Sequence, residues 1–393
     1  MISFVWSAKQ PFLAGRGGSE NYTAGHVREL MRRGIPTRIL TLGFGENDGR
    51  EDWPDIQFKA LQSKEELSEL DDTLVFVTYP LDVPTKKQSF AILHCPQQRL
   101  DPPLKIEALN DKYVITPSRF AAKLWGKTLR VRPSKLPTAY PFAEDCFSKV
   151  ERPVRTDGKT KILFAGRLLP DKGIYTLLAA LHMDSLKDLD YDITVTDAAG
   201  DTEDGQIILG LLKSHPKINV IPARKSPEQM AELMAAHDIV VVPSTNSFWQ
   251  EIFGIVSVEG QHAGCRVVAS NGAGLPETDC GGLVLVKPDD PSALASGLAK
   301  AAMLGSLTQA ERLYAGTQFT LKTSVDSLLE IIETSQKKQE RVLAPSPLPL
   351  LQKQGSLVRE QLDVALNTFT QISQLGIKFG GDQKLMDRNA RNT

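Results

Sequence analysis

The stretch that decides the fold is Asp238-Ile239-Val240-Val241-Val242-Pro243, a polar run from Ser244 to Gln250, and then Glu251-Ile252-Phe253-Gly254-Ile255-Val256-Ser257-Val258-Glu259. A short, continuous apolar run reads as a strand buried on both faces. A strand, a loop and a helix start mark the place where open α/β sheets bind ligands. Glu251 and Glu259 stand eight positions apart. If the segment is helical throughout, a turn of about 100° per residue carries Glu259 roughly 80° past two full turns. The two carboxylates would then share a broad face. Glu251 would serve the mouth of a cleft and Glu259 a group bound deeper. A solvated helix with two surface glutamates explains the segment taken alone at least as well, because surface Glu is common. The rest of the chain has to choose between these readings.

Working outward, short apolar runs alternate with helical patterns. Strand candidates are Ile2–Trp6, Arg38–Leu42, Leu74–Val77, Phe90–His94, Tyr113–Thr116, Lys161–Ala165, Asp192–Thr196, Asn219–Ile221, Ile239–Val242, Arg266–Ala269 and Leu283–Val286. Glu20–Arg33, Ile174–Leu181, Pro227–Ala236 and Pro291–Leu304 read as helices. Such alternation implies parallel sheets built from βαβ units. A polar stretch with Pro and Gly, Ser148 to Thr160, separates two series of these units. The expected architecture is therefore α/β: a Rossmann-like domain over 1–150 and a second over 151–335, facing each other across a cleft. Residues 336–393 form a third region. Gln336 to Gly355, centred on Ala344-Pro345-Ser346-Pro347-Leu348-Pro349, reads as an extended linker. Beyond it Val358, Leu362, Ala365, Phe369 and Ile372 recur at spacings of four and three, the pattern of an amphipathic helix over about 356–376. That helix reads as docked on the protein's own body or as a contact between copies. Its single cation, Arg359, speaks against a membrane-surface role.

A length of 393 residues calls for two domains, and 41% apolar with 7% aromatic residues suits a globular protein. The net charge of −1 argues against a nucleic-acid partner. Cys95, Cys146, Cys265 and Cys280 form no CxxC pair and no metal-ligand spacing, so they read as free thiols of a reducing cytoplasm. Met1 to Trp6 runs straight into a strand and lacks the charged start of a signal peptide. No apolar run approaches the roughly 18 residues of a membrane span.

Four further segments carry candidate chemistry. Gly166-Arg167-Leu168-Leu169-Pro170-Asp171-Lys172-Gly173 follows a strand directly and opens a helix. Arg167 offers a two-pronged fork and Lys172 a point charge, a pair suited to a diphosphate at a sheet's carboxyl edge or to a plain basic surface turn. Ala14-Gly15-Arg16-Gly17-Gly18-Ser19-Glu20 also opens a helix, and its glycines let backbone N–H groups approach an anion. A plain capped loop fits that segment equally well. His94, at the end of a strand, suits a hydrogen bond to a sugar hydroxyl or a satisfied place in the core. Gly272-Ala273-Gly274-Leu275-Pro276-Glu277 reads as a loop that lets backbone approach a ligand, with Glu277 near a hydroxyl, or as an ordinary turn.

Together these segments resemble the retaining GT-B glycosyltransferases of family 4. The likeness rests on the glycine-rich loop Gly15–Glu20, the G-R-x-x-x-x-K-G turn Gly166–Gly173, the E-x₇-E element Glu251–Glu259, and the run Gly264–Glu277 ending in G-L-P-E. It covers roughly residues 1 to 335 and is best in the second domain. The resemblance implies a GT-B fold and a nucleotide diphosphate sugar as donor, with UDP favoured over GDP. It implies transfer with retention, without a protein nucleophile, metal or cofactor. Arg167 and Lys172 would neutralise the leaving diphosphate, Glu251 would contact the transferred sugar, Glu259 would hold the ribose and His94 would align the sugar. Backbone at Gly17, Gly18, Gly166, Phe253, Gly254 and Ile255, together with Glu277, would complete the donor site. Asp190-Tyr191-Asp192 matches a D-x-D pattern but leads into a strand, so it is set aside as a metal site. Phe248-Trp249-Gln250 before Glu251 departs from the family pattern, and those aromatics suit either a sugar face or packing. The acceptor is open: small molecule, glycan, lipid or peptide. A sugar-phosphate synthase, or a non-catalytic nucleotide-sugar binder on the same fold, is the alternative. A dehydrogenase would need G-x-G-x-x-G on the first βα turn, which is absent.

Overall fold

The computed structural model describes residues 1–15, 17–77, 79–96, 104–154, 156–198, 202–246 and 250–335. The expected linker and amphipathic helix of 336–393, Arg16, Phe248 and Trp249 lie outside the described residues. The described residues all belong to one compact unit.

Two all-parallel six-stranded sheets fill this unit. The first comprises β1 (Ile2–Trp6), β2 (Thr37–Leu42), β3 (Phe58–Leu61), β4 (Thr73–Val77), β5 (Ser89–Ile92) and β6 (Lys112–Ile115), in the order β3-β2-β1-β4-β5-β6. The second comprises β7 (Thr160–Phe164), β8 (Tyr191–Asp197), β9 (Ile218–Pro222), β10 (Ile239–Val242), β11 (Arg266–Ser270) and β12 (Leu283–Val286), in the order β12-β11-β10-β7-β8-β9. These are the two sheets of a GT-B fold. In each, the direction of winding reverses beside the first strand, between β1 and β4 and between β7 and β10. Crevices at such reversals are the ligand sites of open sheets.

The sheets are buried on both faces, which is why their strands read as unbroken apolar runs. Phe4, Ile39, Val75 and Ile92 pack on one face of the first sheet, and Val5, Leu40, Phe76 and Ala91 on the other. In the second sheet Ile162, Ile193, Ile239 and Val268 face one core, and Leu163, Val240, Val267 and Ala269 the other. One element crosses over. The helix Leu321–Thr334 follows the second sheet in sequence, yet Val325, Leu328 and Ile331 pack into the core of the first. Arg33 clasps Asp326 at 2.6 Å, and the hydroxyl of Ser324 lies 3.2 Å from His26 Nε2.

Three sequence expectations change. The strand expected over Phe90–His94 stops at Ile92, so His94 lies beyond the sheet edge. Phe58–Leu61 is a strand that the sequence reading passed over. The segment Glu251–Glu259 is not one helix: the helix runs Ile255–His262, and Gly254 before it sits at φ 92°. That left-handed backbone costs an L-residue energy but glycine almost nothing. Glu251 therefore stands on the loop and Glu259 on the helix. The shared-face geometry does not apply.

Candidate functional site

The loops leaving β7 and β10 meet because these strands are neighbours, with Ile162 opposite Ile239 and Leu163 opposite Val240. After β7 the chain makes a one-turn 3₁₀ helix, Pro170–Lys172, with Pro in its first turn, and Gly173 follows at φ 73°. A Cβ on Gly173 would come within 1.8 Å of the Pro243 carbonyl oxygen, so only glycine lets the two loops close. Thr245 N–H donates to the Asp171 carbonyl at 2.9 Å and locks them.

This contact places Lys172 against Glu251. Lys172 Nζ lies 2.6 Å from Glu251 Oε2, the Ser244 hydroxyl donates to the same oxygen at 3.4 Å, and Asp171 lies 3.9 Å from the ammonium. The pair is largely sheltered, at 15% exposure for Lys172 and 22% for Glu251. Charges there interact more strongly than in water, yet solvent and ligand still reach them. A Cβ on Gly166 would lie 3.6 Å from the Lys172 Cβ. Arg167 is exposed and makes no ion pair among the described residues, so the turn presents one paired and one solvent-exposed cation.

The Glu251 loop is held from behind. Gly274 N–H donates to the Glu251 carbonyl at 2.8 Å, and a Cβ on Gly274 would lie 2.0 Å from the Ile252 carbonyl oxygen. Phe253 is buried, its ring 5.6 Å from Tyr140 and 5.2 Å from Phe319. Its side chain is an anchor, and only its backbone can face a ligand.

The first sheet supplies the opposing wall. Gly17 caps the helix Gly18–Arg32 in extended conformation, and Gly18 approaches Ile255 closely enough that a Cβ would sit 3.7 Å from Ile255 Cγ2. Gly18, Asn21, Glu144, Ile255 and Glu259 line one small cavity. Burial, and after it the Glu144 carboxylate, raise the Glu259 carboxyl to about 8. A raised carboxyl pKa means the folded state prefers the protonated form. The stability this gives is complete below the ordinary carboxylate pKa and is lost as pH rises through about 8. Subtracting the Glu259→Gln melting profile from that of the native chain is therefore expected to leave a difference that declines from about pH 5 to pH 8.5. A flat difference would show that Glu259 titrates as an ordinary surface carboxylate.

His94 is enclosed, with Nε2 lacking a hydrogen-bond partner among the described residues and the Tyr22 ring edge-on at 4.6 Å. Burial first and the neighbouring His26 second lower it to about 3, so the imidazole is neutral. Glu277 does not sit with this group. Its Oε2 accepts from Arg119 N–H at 2.9 Å and from the Tyr140 hydroxyl at 2.8 Å, and its Oε1 accepts from Phe120 N–H at 2.6 Å. The carboxylate thus caps the helix Arg119–Leu129 of the first sheet. Ser118, the residue before that helix, donates to the Ile252 carbonyl at 2.6 Å. Sequence reasoning missed Ser118, Tyr140, Glu144 and Ser244. Only Ser118 carried a local signal, as an N-cap, since its hydroxyl also accepts from Ala121 N–H at 2.9 Å. Asp192 of the D-x-D match lies in β8 and pairs with Lys159 at 3.3 Å.

Comparison with known proteins reaches the part of the chain that carries the second sheet. Residues 159–303 match the family model for glycosyl transferases group 1. A D-inositol 3-phosphate glycosyltransferase of Corynebacterium kroppenstedtii is 34% identical over 148 residues, 35% of this chain and 32% of that protein. The chain spans under half the length of the curated relatives it matches. Among solved structures, a Rickettsia africae glycosyltransferase superposes with a TM-score of 0.67 at 20% identity, covering 86% of this chain and 99% of that one. An Anabaena protein solved with UDP superposes with a TM-score of 0.62 at 16% identity, covering 85% and 99%. Residues 159–303 thus resemble the group 1 glycosyl transferases, within a chain that has a GT-B fold.

Proposed function

We propose that the protein is a glycosyltransferase that moves a sugar from a nucleotide diphosphate donor, UDP-linked in preference to GDP-linked, to an acceptor hydroxyl in the cytoplasm. The observation that carries this reading is the Lys172–Glu251 pair at the reversal between β7 and β10. Breaking the anomeric C–O bond leaves negative charge on the diphosphate and positive charge on the sugar carbon. Lys172 and Arg167 stabilise the first, and preorganised cations cost no reorganisation as that charge develops. Glu251, oriented by Lys172, accepts hydrogen bonds from the sugar hydroxyls. Glu259 accepts from the ribose, and backbone at Gly17, Gly18, Gly166, Gly254 and Ile255 meets phosphate oxygens. His94, neutral, donates or accepts a hydrogen bond at the sugar without adding charge. Glu277 supports the site from behind rather than touching the donor.

Transfer proceeds with retention. The acceptor oxygen attacks the face from which the diphosphate departs, and its proton passes to the leaving phosphate oxygen. No protein nucleophile or metal takes part. The Anabaena neighbour solved with UDP favours uracil in the donor. The acceptor is set by the first sheet, which lies outside the family match.

A melting-shift panel of UDP-, GDP-, ADP- and TDP-sugars tests the reading. A ligand at a hundredfold excess over its Kd adds about 2.7 kcal/mol to the folded state, enough to move Tm by several degrees. UDP-sugars are expected to give the largest shift. No shift with any of the four would refute the assignment.

A further inference from the structure

Between Asp111 and Glu144 the chain carries seven cations and no acid, although its net charge is only −1. Three of the seven have partners: Lys112 is buried against Asp111, Arg119 pairs with Glu277, and Lys135 makes a contact of its own. The other four, Lys123, Lys127, Arg130 and Arg132, are exposed and form no ion pair among the described residues. Their alignment follows from the helix Arg119–Leu129. Ala121, Ala122, Trp125 and Leu129 are buried beneath it, which fixes its rotation. At about 100° per residue, positions 119, 123, 127 and 130 fall within an arc of roughly 80°. Both ends are fixed too, by Ser118 and Glu277 at the start and by Arg130 in the left-handed conformation, φ 56°, at the end. The row is about 16 Å long. Like charges four residues apart repel and weaken the helix that carries them, and beyond Arg119 this face has no counter-charge among the described residues.

We propose that this face is a docking surface for a lipid bilayer bearing anionic headgroups. A straight row of cations on a convex helix matches a plane of phosphates and does not enclose a single anion. Each cation held near such a surface strengthens binding about fivefold. Single-stranded nucleic acid would call for a groove with exposed aromatic rings. Here Trp125 is buried and Phe120 only half-exposed. The row begins at Arg119, which Glu277 ties to the cleft. A surface lying along it therefore runs up to the edge of the acceptor-side sheet. This inference does not depend on the chemistry proposed for the cleft.

The test is co-sedimentation of the full chain with phosphatidylcholine vesicles, with and without about 30% phosphatidylglycerol, at low and high salt. Binding is expected only with phosphatidylglycerol and is expected to fade at high salt. The Lys123→Glu/Lys127→Glu double variant should bind at least about 25-fold more weakly, with an unchanged shift in Tm on adding UDP. Arg130→Gln/Arg132→Gln, outside the helix, makes the same test if the first pair fails to fold. Lys187→Glu/Lys300→Glu, which carries the same net charge change on the second sheet, should bind as the native chain does. Equal binding to neutral vesicles overturns the proposal. So do an equal loss in the Lys187/Lys300 control and capture of single-stranded RNA without vesicle binding.

Discussion

Replacing Lys172 with alanine is expected to lower the rate of sugar transfer by about two to three orders of magnitude, the usual cost of removing one preorganised group that stabilises developing charge. The substitution also strips Glu251 of its 2.6 Å partner. Because the pair is sheltered but not sealed, the cost in stability falls between that of an exposed and that of a buried ion pair, about 1–2 kcal/mol. Comparison with Glu251→Gln separates the two roles. Lys172→Ala should weaken binding of UDP alone at least about tenfold, since it removes a charge-assisted contact to the diphosphate. Glu251→Gln should leave UDP binding intact and weaken only the sugar-bearing donor. Turnover unchanged in Lys172→Ala, measured by release of UDP from the donor that gives the largest melting shift, would remove the turn from the mechanism.

Gly173→Ala is expected to have the largest effect on stability of any single methyl addition near the cleft. Two penalties combine. An L-residue at φ 73° costs about 1–2 kcal/mol. A Cβ only 1.8 Å from the Pro243 carbonyl oxygen forces the β7 and β10 loops apart, adding about 1–3 kcal/mol of overpacking. Gly158 provides a matched control: its φ is 70°, but nothing lies within 4 Å of its would-be Cβ. Gly158→Ala should show only the backbone cost. Thermal unfolding of both variants isolates the steric part, and equal losses would show that the loops close without strain. Because Lys172 precedes Gly173, the spreading of the loops should also reduce donor binding, which Gly158→Ala should leave untouched.

The readable parts of the fold are those where burial is uniform. Ile239–Val242 declared itself because both faces of the sheet are covered. The edge strand Phe58–Leu61 did not, since only Leu61 is buried and Lys59 is exposed, leaving no apolar run to find. The cations of Arg119–Leu129 hid a helix whose buried positions include two alanines and a single Trp. In the site, Lys172 and Glu251 were legible as residue types on turns. That they touch across 79 positions follows from β7 lying beside β10, an order that sequence proximity does not reveal. The partners of Glu277 lie 137 to 158 positions away, around the first sheet, so its cap had no local trace. A helix running through Glu251 is excluded by a signal visible in the sequence. Gly254 sits where a left-handed residue breaks the chain's path before Ile255.

The return of Leu321–Thr334 to the first sheet bears on how the chain is made. The strands around Phe4 emerge first during synthesis, yet their core lacks Val325, Leu328 and Ile331 until over 300 further residues have been added. Such long-range closure slows folding and keeps apolar surface uncovered in the interim. The half made first is thus the half completed last. Its maturation is coupled to the full second sheet having left the ribosome.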